Sequence, residues 1–206
     1  MTLQESTLYR RWGKRAVDIA VSAAGLVVLS PVLAALAVFV RVRLGSPVLF
    51  CQQRPGLRGR PFTLFKFRTM TEAVDESGAR LPDDARLTGA GTFLRRWSLD
   101  ELPELWNVLR GDMSIVGPRP LLMQYLDRYT PQQARRHDVK PGITGWAQVN
   151  GRDQCTWEQR FTLDVWYVER VAFGLDARIF ARTIWKILKR EGVLNAGAAT
   201  REEYLR

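Results

Sequence analysis

An uninterrupted apolar stretch from Ile19 to Val40 is the most pronounced hydrophobic pattern in the chain. Its 22 residues carry no formal charge, and at ~1.5 Å per residue a helix of that length would cross a hydrocarbon core of ~30 Å. Ser30 and Pro31 lie in its middle, where a proline removes a backbone hydrogen bond and kinks or breaks a helix. The pattern therefore predicts a long apolar helix that is broken near its centre.

Basic residues stand on both sides of this stretch. They are Arg10, Arg11, Lys14 and Arg15 before it, and Arg41, Arg43, Arg54, Arg58 and Arg60 after it. Because positive charge normally marks the cytoplasmic side of a membrane segment, charge at both ends predicts that both ends lie on the same side. We expect a re-entrant helix that enters the membrane, bends at Ser30 and Pro31, and returns. A proline-kinked helix that spans the membrane is the open alternative.

The segment after the apolar stretch has the pattern of a β-hairpin. Two short runs rich in apolar residues, Val48–Gln52 and Phe62–Phe67, are joined by a turn-forming sequence that contains proline and glycine. Lys66 and Arg68 alternate with phenylalanines, so we expect both on the polar face of the second strand. The following segment, Glu72–Thr92, is rich in acids and glycine and predicts a long polar loop.

Helical spacing returns around residue 100. Apolar residues recur from Leu102 to Leu109, and Gly111 is a suitable C-terminal stop. A start near Asp100 would keep Pro103 in the first turn, which predicts that Asp100 and the adjacent Glu101 lie at a helix N-terminus.

Two further helices are predicted towards the C-terminus, Trp157–Val171 and Asp176–Arg190. The second carries a basic residue at every fourth position beside apolar residues, a pattern typical of a helix that lies on an anionic membrane surface. Packing of this helix on the protein core is the open alternative.

Composition narrows the classes of partner. The chain has 31 Lys and Arg against 21 Asp and Glu, a formal charge of +10 that favours nucleic acid, lipid headgroups or a phosphorylated small molecule. Cys51 and Cys155 lie far apart, which argues against a zinc site or a disulfide framework. His137, followed by an aspartate, is interpreted as a surface residue without a role. No Walker loop, dinucleotide fingerprint, nucleophile elbow or histidine-rich metal motif occurs.

The adjacent carboxylates Asp100 and Glu101 are the candidate chemistry. Arg95 precedes them, and Arg119 follows in a stiff Pro-Arg-Pro sequence. Helix-terminal amides and arginines bind phosphate, and a carboxylate can attack phosphorus to form an acyl phosphate. On the residues alone, the simpler interpretation that Asp100 caps a helix is favoured.

Longer motifs carry a family resemblance. They are Ser98–Pro103, Gly111–Pro120, Lys140–Gly151 and the Lys14-Arg15, Asp18 and Ser30-Pro31 segment. Together they closely resemble the bacterial sugar transferase family, whose members are monotopic polyprenyl-phosphate phosphoglycosyl transferases. The resemblance runs from about Lys14 to Arg190 and is to the minimal catalytic form of the family.

The resemblance implies a two-step reaction and a role for each matching residue. Sugar 1-phosphate would move from a UDP-sugar to a polyprenyl phosphate such as undecaprenyl phosphate, in the first membrane step of glycan assembly. Asp100 would be the nucleophile that forms a covalent phosphosugar intermediate, and Glu101 would handle protons or position the second substrate. Mg²⁺ would be held partly by Asp100, and Lys66, Arg95 and Arg119 would contact phosphate.

These expectations combine into an α+β fold that is mainly helical, with amphipathic interfacial helices and a small hairpin around a compact catalytic domain. Residues 1–46 would hold the re-entrant helix, 47–190 the catalytic domain and 191–206 a C-terminal tail. We expect the domain to lie on the cytoplasmic face of the bacterial inner membrane, against anionic headgroups. The sequence leaves the oligomeric state open, with a homodimer through the membrane segment as one alternative, and a nucleic-acid partner is not expected. A non-catalytic basic membrane adaptor is the alternative function.

Overall fold

The structure, a computed structural model, describes residues 8–151 and 155–189, so the predicted tail at 191–206 lies outside the described residues. The α-helices are α1 (Lys14–Val28), α2 (Ser30–Leu44), α3 (Asp83–Arg86), α4 (Gly89–Arg96), α5 (Glu104–Arg110), α6 (Pro131–Ala134), α7 (Trp146–Asn150), α8 (Trp157–Glu169) and α9 (Phe173–Lys189). The strands are β1 (Leu49–Pro55), β2 (Pro61–Phe67), β3 (Ser114–Val116) and β4 (Gly142–Thr144). A π-helical turn, Tyr9–Gly13, leads into α1.

The predicted break in the apolar stretch is present. Helices α1 and α2 form a bent pair with an angle of 64° between them, and the bend follows from Leu29, whose ψ of 3° is not helical. Pro31 lies in the first turn of α2, where the backbone N–H groups have no acceptor within the helix, so that its missing N–H costs α2 no hydrogen bond. Within the described residues no single helix is long and apolar enough to cross a membrane, whereas the bent pair meets that criterion when both halves are counted.

The inner face of α1 carries two polar residues, Asp18 and Ser22, beside Val17 and Val21, which pack against the core, and its outer face is apolar. Asp18 and Ser22 are buried, while Val27 and Val28 are more than 70% exposed. The carboxylate of Asp18 accepts a hydrogen bond of 2.9 Å from the hydroxyl of Ser114, at the start of β3. A surface helix of a water-soluble protein normally has polar residues on its outer face, so the outer face of α1 is the unusual one.

The predicted hairpin is confirmed, with β1 and β2 antiparallel and each slightly longer than expected. The expected orientation of Lys66 was wrong. Residues two apart lie on the same face of a strand, and Lys66 therefore shares its face with the buried Phe62 and Leu64 and projects into the protein. Arg68 is also buried, and its guanidinium donates to the carbonyl of Ser46 at 2.8 Å.

The predicted polar loop at residues 72–92 is shorter than expected, because α3 and the start of α4 lie within it. Thr88 caps α4 by accepting a hydrogen bond of 3.1 Å from the backbone N–H of Gly91.

The predicted α-helix start at Asp100 was wrong. Ser98 has a left-handed backbone with φ of 52°, and the chain then forms a 3₁₀ turn over Leu99–Glu101 before α5 begins at Glu104. Pro103 has no N–H with which to continue α-helical hydrogen bonding from this turn. The predicted end of the helix at Gly111 is confirmed, since this residue adopts the left-handed conformation with φ of 95°.

Strands β3 and β4, which the hydrophobic pattern did not predict, form a parallel pair with Ser114 opposite Gly142. The chains approach closely, and a Cβ at Gly117 would lie 2.4 Å from the carbonyl oxygen of Lys140. This pairing fixes the start of the Pro-Arg-Pro loop.

Helices α8 and α9 confirm the two predicted C-terminal helices, although Arg190 lies outside the described residues. His137 is buried, contrary to its interpretation as a surface residue.

Candidate active site

Separate elements bring together the candidate residues chosen from the sequence. Lys66 comes from β2, Arg95 from the end of α4, and Arg119 from the loop after β3. Asp100 and Glu101 occupy the 3₁₀ turn between α4 and α5. Residues from four parts of the chain thus form one cluster of charges.

Glu101 is held by two cations. Its Oε1 accepts hydrogen bonds from Lys66 Nζ at 2.8 Å and from Arg119 Nη2 at 2.7 Å. Although burial favours the neutral carboxyl, the charges of Arg119 and Lys66 outweigh it and hold the pKa of Glu101 well below its usual range. Glu101 is therefore an ionised bridge between the strand and the loop.

Asp100 is in a different environment, although it is the next residue. It is only 9% exposed, and none of the described residues donates a hydrogen bond to its carboxylate. Burial and then the charge of Glu101 raise the pKa of Asp100, while Lys66, Arg119 and Arg95 oppose that rise. Asp100 is therefore a carboxylate that lies in the field of three cations but accepts no hydrogen bond from them.

Glu104 is a third carboxyl in the cluster and was missed by the sequence analysis. Its Oε1 lies 3.0 Å from Lys66 Nζ, and burial raises the pKa of Glu104 to about 7. Glu104 follows Glu101 by three residues, a spacing that places side chains on one side of a helical turn. This spacing is the feature of the sequence from which Glu104 could have been predicted to join the cluster.

Asn107 on α5, also missed by the sequence analysis, attaches the helix to the hairpin. It is fully buried, its Oδ1 accepts from the backbone N–H of Phe65 at 3.1 Å, and its Nδ2 donates to the carbonyl of Thr63 at 2.7 Å. These two hydrogen bonds pair backbone groups at the edge of β2 that does not face β1, and they hold β2 against α5, so that Lys66 lies beside Glu104.

Arg119 is held from behind through its backbone. The carbonyl of Arg119 accepts a hydrogen bond of 2.8 Å from Arg136 Nη2, and Arg136 forms a buried ion pair of 2.7 Å with Asp164 on α8. The side chain of Arg119 is 43% exposed. One of its nitrogens bonds to Glu101, and the exposed part of the guanidinium faces solvent, where an anionic substrate could bind.

Arg95 completes the cluster on the side of α4. Its Nε donates to the hydroxyl of Thr69 at 3.0 Å, and burial lowers the pKa of Arg95 without removing its charge at neutral pH. That charge acts on Asp100 and favours its ionised form. The arrangement is suited to a carboxylate nucleophile that reacts with a phosphate held between arginines.

Comparison with known proteins agrees with this geometry. The family model described as bacterial sugar transferase matches residues 9–190. The chain is 58% identical over 165 residues to the uncharacterized sugar transferase EpsL of Bacillus subtilis (strain 168), an alignment that covers 80% of this chain and 82% of that protein. The chain belongs to the bacterial sugar transferase family.

Two longer relatives of this sugar transferase carry more specific names. This chain is 42% identical to the undecaprenyl-phosphate glucose phosphotransferase of Komagataeibacter xylinus, in an alignment that covers 83% of this chain and 35% of that protein. It is 40% identical to the UDP-glucose:undecaprenyl-phosphate glucose-1-phosphate transferase of Escherichia coli (strain K12), over 84% of this chain and 39% of that protein. The chain therefore spans well under half the length of these two relatives.

Proposed function

We propose that this sugar transferase moves sugar 1-phosphate from a UDP-sugar to undecaprenyl phosphate through a covalent intermediate on Asp100. The observation that carries the proposal is the contrast between the two adjacent carboxylates. Glu101 is neutralised by Lys66 and Arg119, whereas Asp100 accepts no hydrogen bond from the described residues. The names of the longer relatives support both substrates.

The first step would form a phosphosugar on the enzyme. An oxygen of Asp100 attacks the phosphorus that bears the sugar, and the bond from that phosphorus to the bridging oxygen breaks. UMP leaves with the bonding electron pair, and the sugar phosphate becomes an acyl phosphate. Arg95 and Arg119 are placed to bind the phosphate oxygens, on which negative charge increases as the bond breaks.

The second step would regenerate the enzyme. A phosphate oxygen of undecaprenyl phosphate attacks the same phosphorus, a diphosphate bond forms, and the carboxylate of Asp100 leaves. Glu101 would not react with substrate, because its charge is paired with Lys66 and Arg119, which donate hydrogen bonds to its carboxylate. Its role is to position Lys66 and Arg119.

The carboxylates of the site fit a magnesium ion bound together with substrate. Among the described residues no three His, Cys, Asp or Glu side chains are grouped as a metal site. Mg²⁺ is, however, commonly held by one or two carboxylates and completed by substrate phosphates and water. Asp100 would be its protein ligand, and the bound ion would neutralise charge on the diphosphate of the donor.

We further propose that the bent pair of α1 and α2 enters one leaflet of the bacterial inner membrane and returns to the cytoplasmic face. The apolar outer face of α1 supports this, because Val27 and Val28 are exposed while Asp18 and Ser22 face the protein. Leu99 and Leu102, which flank Asp100 and Glu101, pack against an apolar cluster that includes Leu36 and Val40 of α2. The turn that carries Asp100 would then lie at the membrane surface, within reach of a lipid phosphate.

A half-reaction assay tests the nucleophile. The wild type, incubated with Mg²⁺ and a panel of UDP-sugars but no lipid, should release UMP and retain a phosphosugar adduct visible by intact mass. Asp100→Asn should do neither. Asp84→Asn, a control at an exposed aspartate on α3, should behave as the wild type. Normal turnover by Asp100→Asn would exclude the covalent intermediate, and absence of UMP release with every donor would favour a non-catalytic membrane adaptor.

Accessibility labelling tests the topology. Single cysteines replacing Arg10 and Arg43, both exposed, would be labelled in sealed inverted vesicles after Cys51 and Cys155 are changed to serine. The re-entrant topology predicts that both positions react with an impermeant reagent from the cytoplasmic side. Reaction from opposite sides would show that the bent pair spans the membrane.

A further inference from the structure

A shallow groove runs along the outer face of α4. It has a volume of about 280 Å³ and is lined by Gly89, Thr92, Phe93, Arg96 and Trp97. These positions are spaced by three and four residues, so they form one stripe of the helix and its C-terminal end. Apart from one arginine and one threonine, the groove is lined by aromatic rings and a glycine.

The groove extends from the bent pair towards the active site. At one side, the ring of Phe93 packs edge to face on Phe39 of α2, with ring centroids 6.2 Å apart. At its other end, Trp97 terminates α4 and is followed by the turn that carries Asp100. The opposite face of α4 is anchored in the core by Leu94, which is fully buried. The groove is thus a fixed surface between lipid-facing residues and the nucleophile.

We propose that this groove binds the first isoprenoid units of the lipid phosphate acceptor, with the phosphate directed towards Asp100. The inference rests on the proposed function and adds to it a location for the acceptor chain. Arg96 lines the groove and Arg95 lies on the side of Asp100, so positive charge stands where the lipid phosphate would enter. Apolar rings beside this charge match a ligand that has one anionic end and a hydrocarbon chain.

The size of the groove limits how much of the chain it holds. Pockets that enclose a complete small molecule usually measure ~300–1,000 Å³, and this open groove is slightly smaller than that range. It would therefore contact only the units nearest the phosphate. The remainder of the chain would lie in the bilayer along α2, where Val38 and Val42 are exposed.

Gly89 allows the groove to be filled without disturbing the fold. A Cβ at this position would meet no atom of the described residues within 4 Å, and its backbone is not left-handed. Gly89→Phe should therefore place a ring in the groove. Gly174 on α9 has the same open surroundings, so Gly174→Phe is a matched control that adds the same side chain elsewhere.

The test separates the two half-reactions. For Gly89→Phe we expect UMP release without lipid at the wild-type rate and a KM for undecaprenyl phosphate that is raised roughly tenfold, because apolar contact with the chain is lost. Binding of radiolabelled undecaprenyl phosphate in the absence of donor should fall in parallel. Gly174→Phe should leave both quantities unchanged.

Two results would overturn the inference. One is an unchanged KM and unchanged lipid binding in Gly89→Phe. The other is weaker attachment to vesicles made of phospholipid alone with an unchanged KM, which would assign the groove to bulk phospholipid. If Gly89→Phe also loses UMP release, Thr92→Leu, a smaller change in the same groove, decides by the same criteria. Failure of the wild type to release UMP would instead refute the proposed function, while lipid binding would still test the groove.

Discussion

Replacing Glu104 by glutamine removes a buried carboxyl and leaves a side chain of nearly the same shape. Burial raises the pKa of Glu104 from 4.5 to about 7, so the folded state binds this proton more tightly than the unfolded state does. The folded protein is therefore penalised as the pH rises from about 4.5 to about 7, and the penalty is constant above that range. Glu104→Gln abolishes the penalty.

The magnitude follows from the shift. At 1.36 kcal/mol per pKa unit, a change from 4.5 to about 7 corresponds to about 3 kcal/mol, most of which develops between pH 5 and pH 8. Relative to the wild type, the variant should therefore gain about 2 to 3 kcal/mol in unfolding free energy over that interval. For a chain of this length that is a difference of about 5 to 10 °C in Tm.

Thermal unfolding in detergent micelles at pH 5 and pH 8 measures this difference. Glu158→Gln, which changes an exposed glutamate on α8, controls for the loss of one negative charge and should follow the wild type at both pH values. The comparison uses the change between the two pH values, so any effect of the amide on packing cancels. If the Tm of Glu104→Gln depends on pH as strongly as that of the wild type, Glu104 is not the acid that the geometry indicates.

Two other substitutions test how the site is held. Arg119→Lys should lower kcat/KM for the UDP-sugar at least about tenfold, because an ammonium lacks the planar fork with which a guanidinium can hold Glu101 and a phosphate together; UMP release measures this, and wild-type kinetics would show that a point charge suffices. Arg15→Met should destabilise the protein by about 2 kcal/mol, because Arg15 donates to the carbonyls of Val108 and Leu109 at 2.6 and 2.7 Å. Denaturant unfolding checks this, and an unchanged midpoint would contradict it.

Features set by local sequence were predictable. Pro31 inside an apolar stretch predicted the break between α1 and α2, because the missing N–H acts within one turn wherever the helix lies. Gly111 predicted the end of α5 for a similarly local reason, since glycine adopts the left-handed backbone conformation at little cost. The hairpin strands were recognised from their residue types and turn.

Features set by contacts between distant residues were not predictable. Alternation in β2 suggested that Lys66 faces solvent, but the strand has apolar residues on both faces. Lys66 instead pairs with Glu101 in the 3₁₀ turn and with Glu104 on α5. The 3₁₀ turn around Asp100 was missed because it depends on the left-handed backbone of Ser98, for which serine gives no clear signal. The family motifs nevertheless identified Asp100 and Glu101, whose difference in environment is visible only in the folded structure.

The polar residues of α1 connect the bent helix pair to the geometry of the active site. Arg15 holds the carbonyl end of α5, the helix that begins at Glu104. Asp18 holds the start of β3, and Lys14 donates to the carbonyl of Val116 at its end, three residues before Arg119. Helix α1 therefore holds both α5, which carries Glu104, and β3, which leads to Arg119. Because α1 makes all of these contacts, a change in the orientation of the bent pair would be transmitted to α5 and β3 together, and the active site and the bent pair form one structural unit.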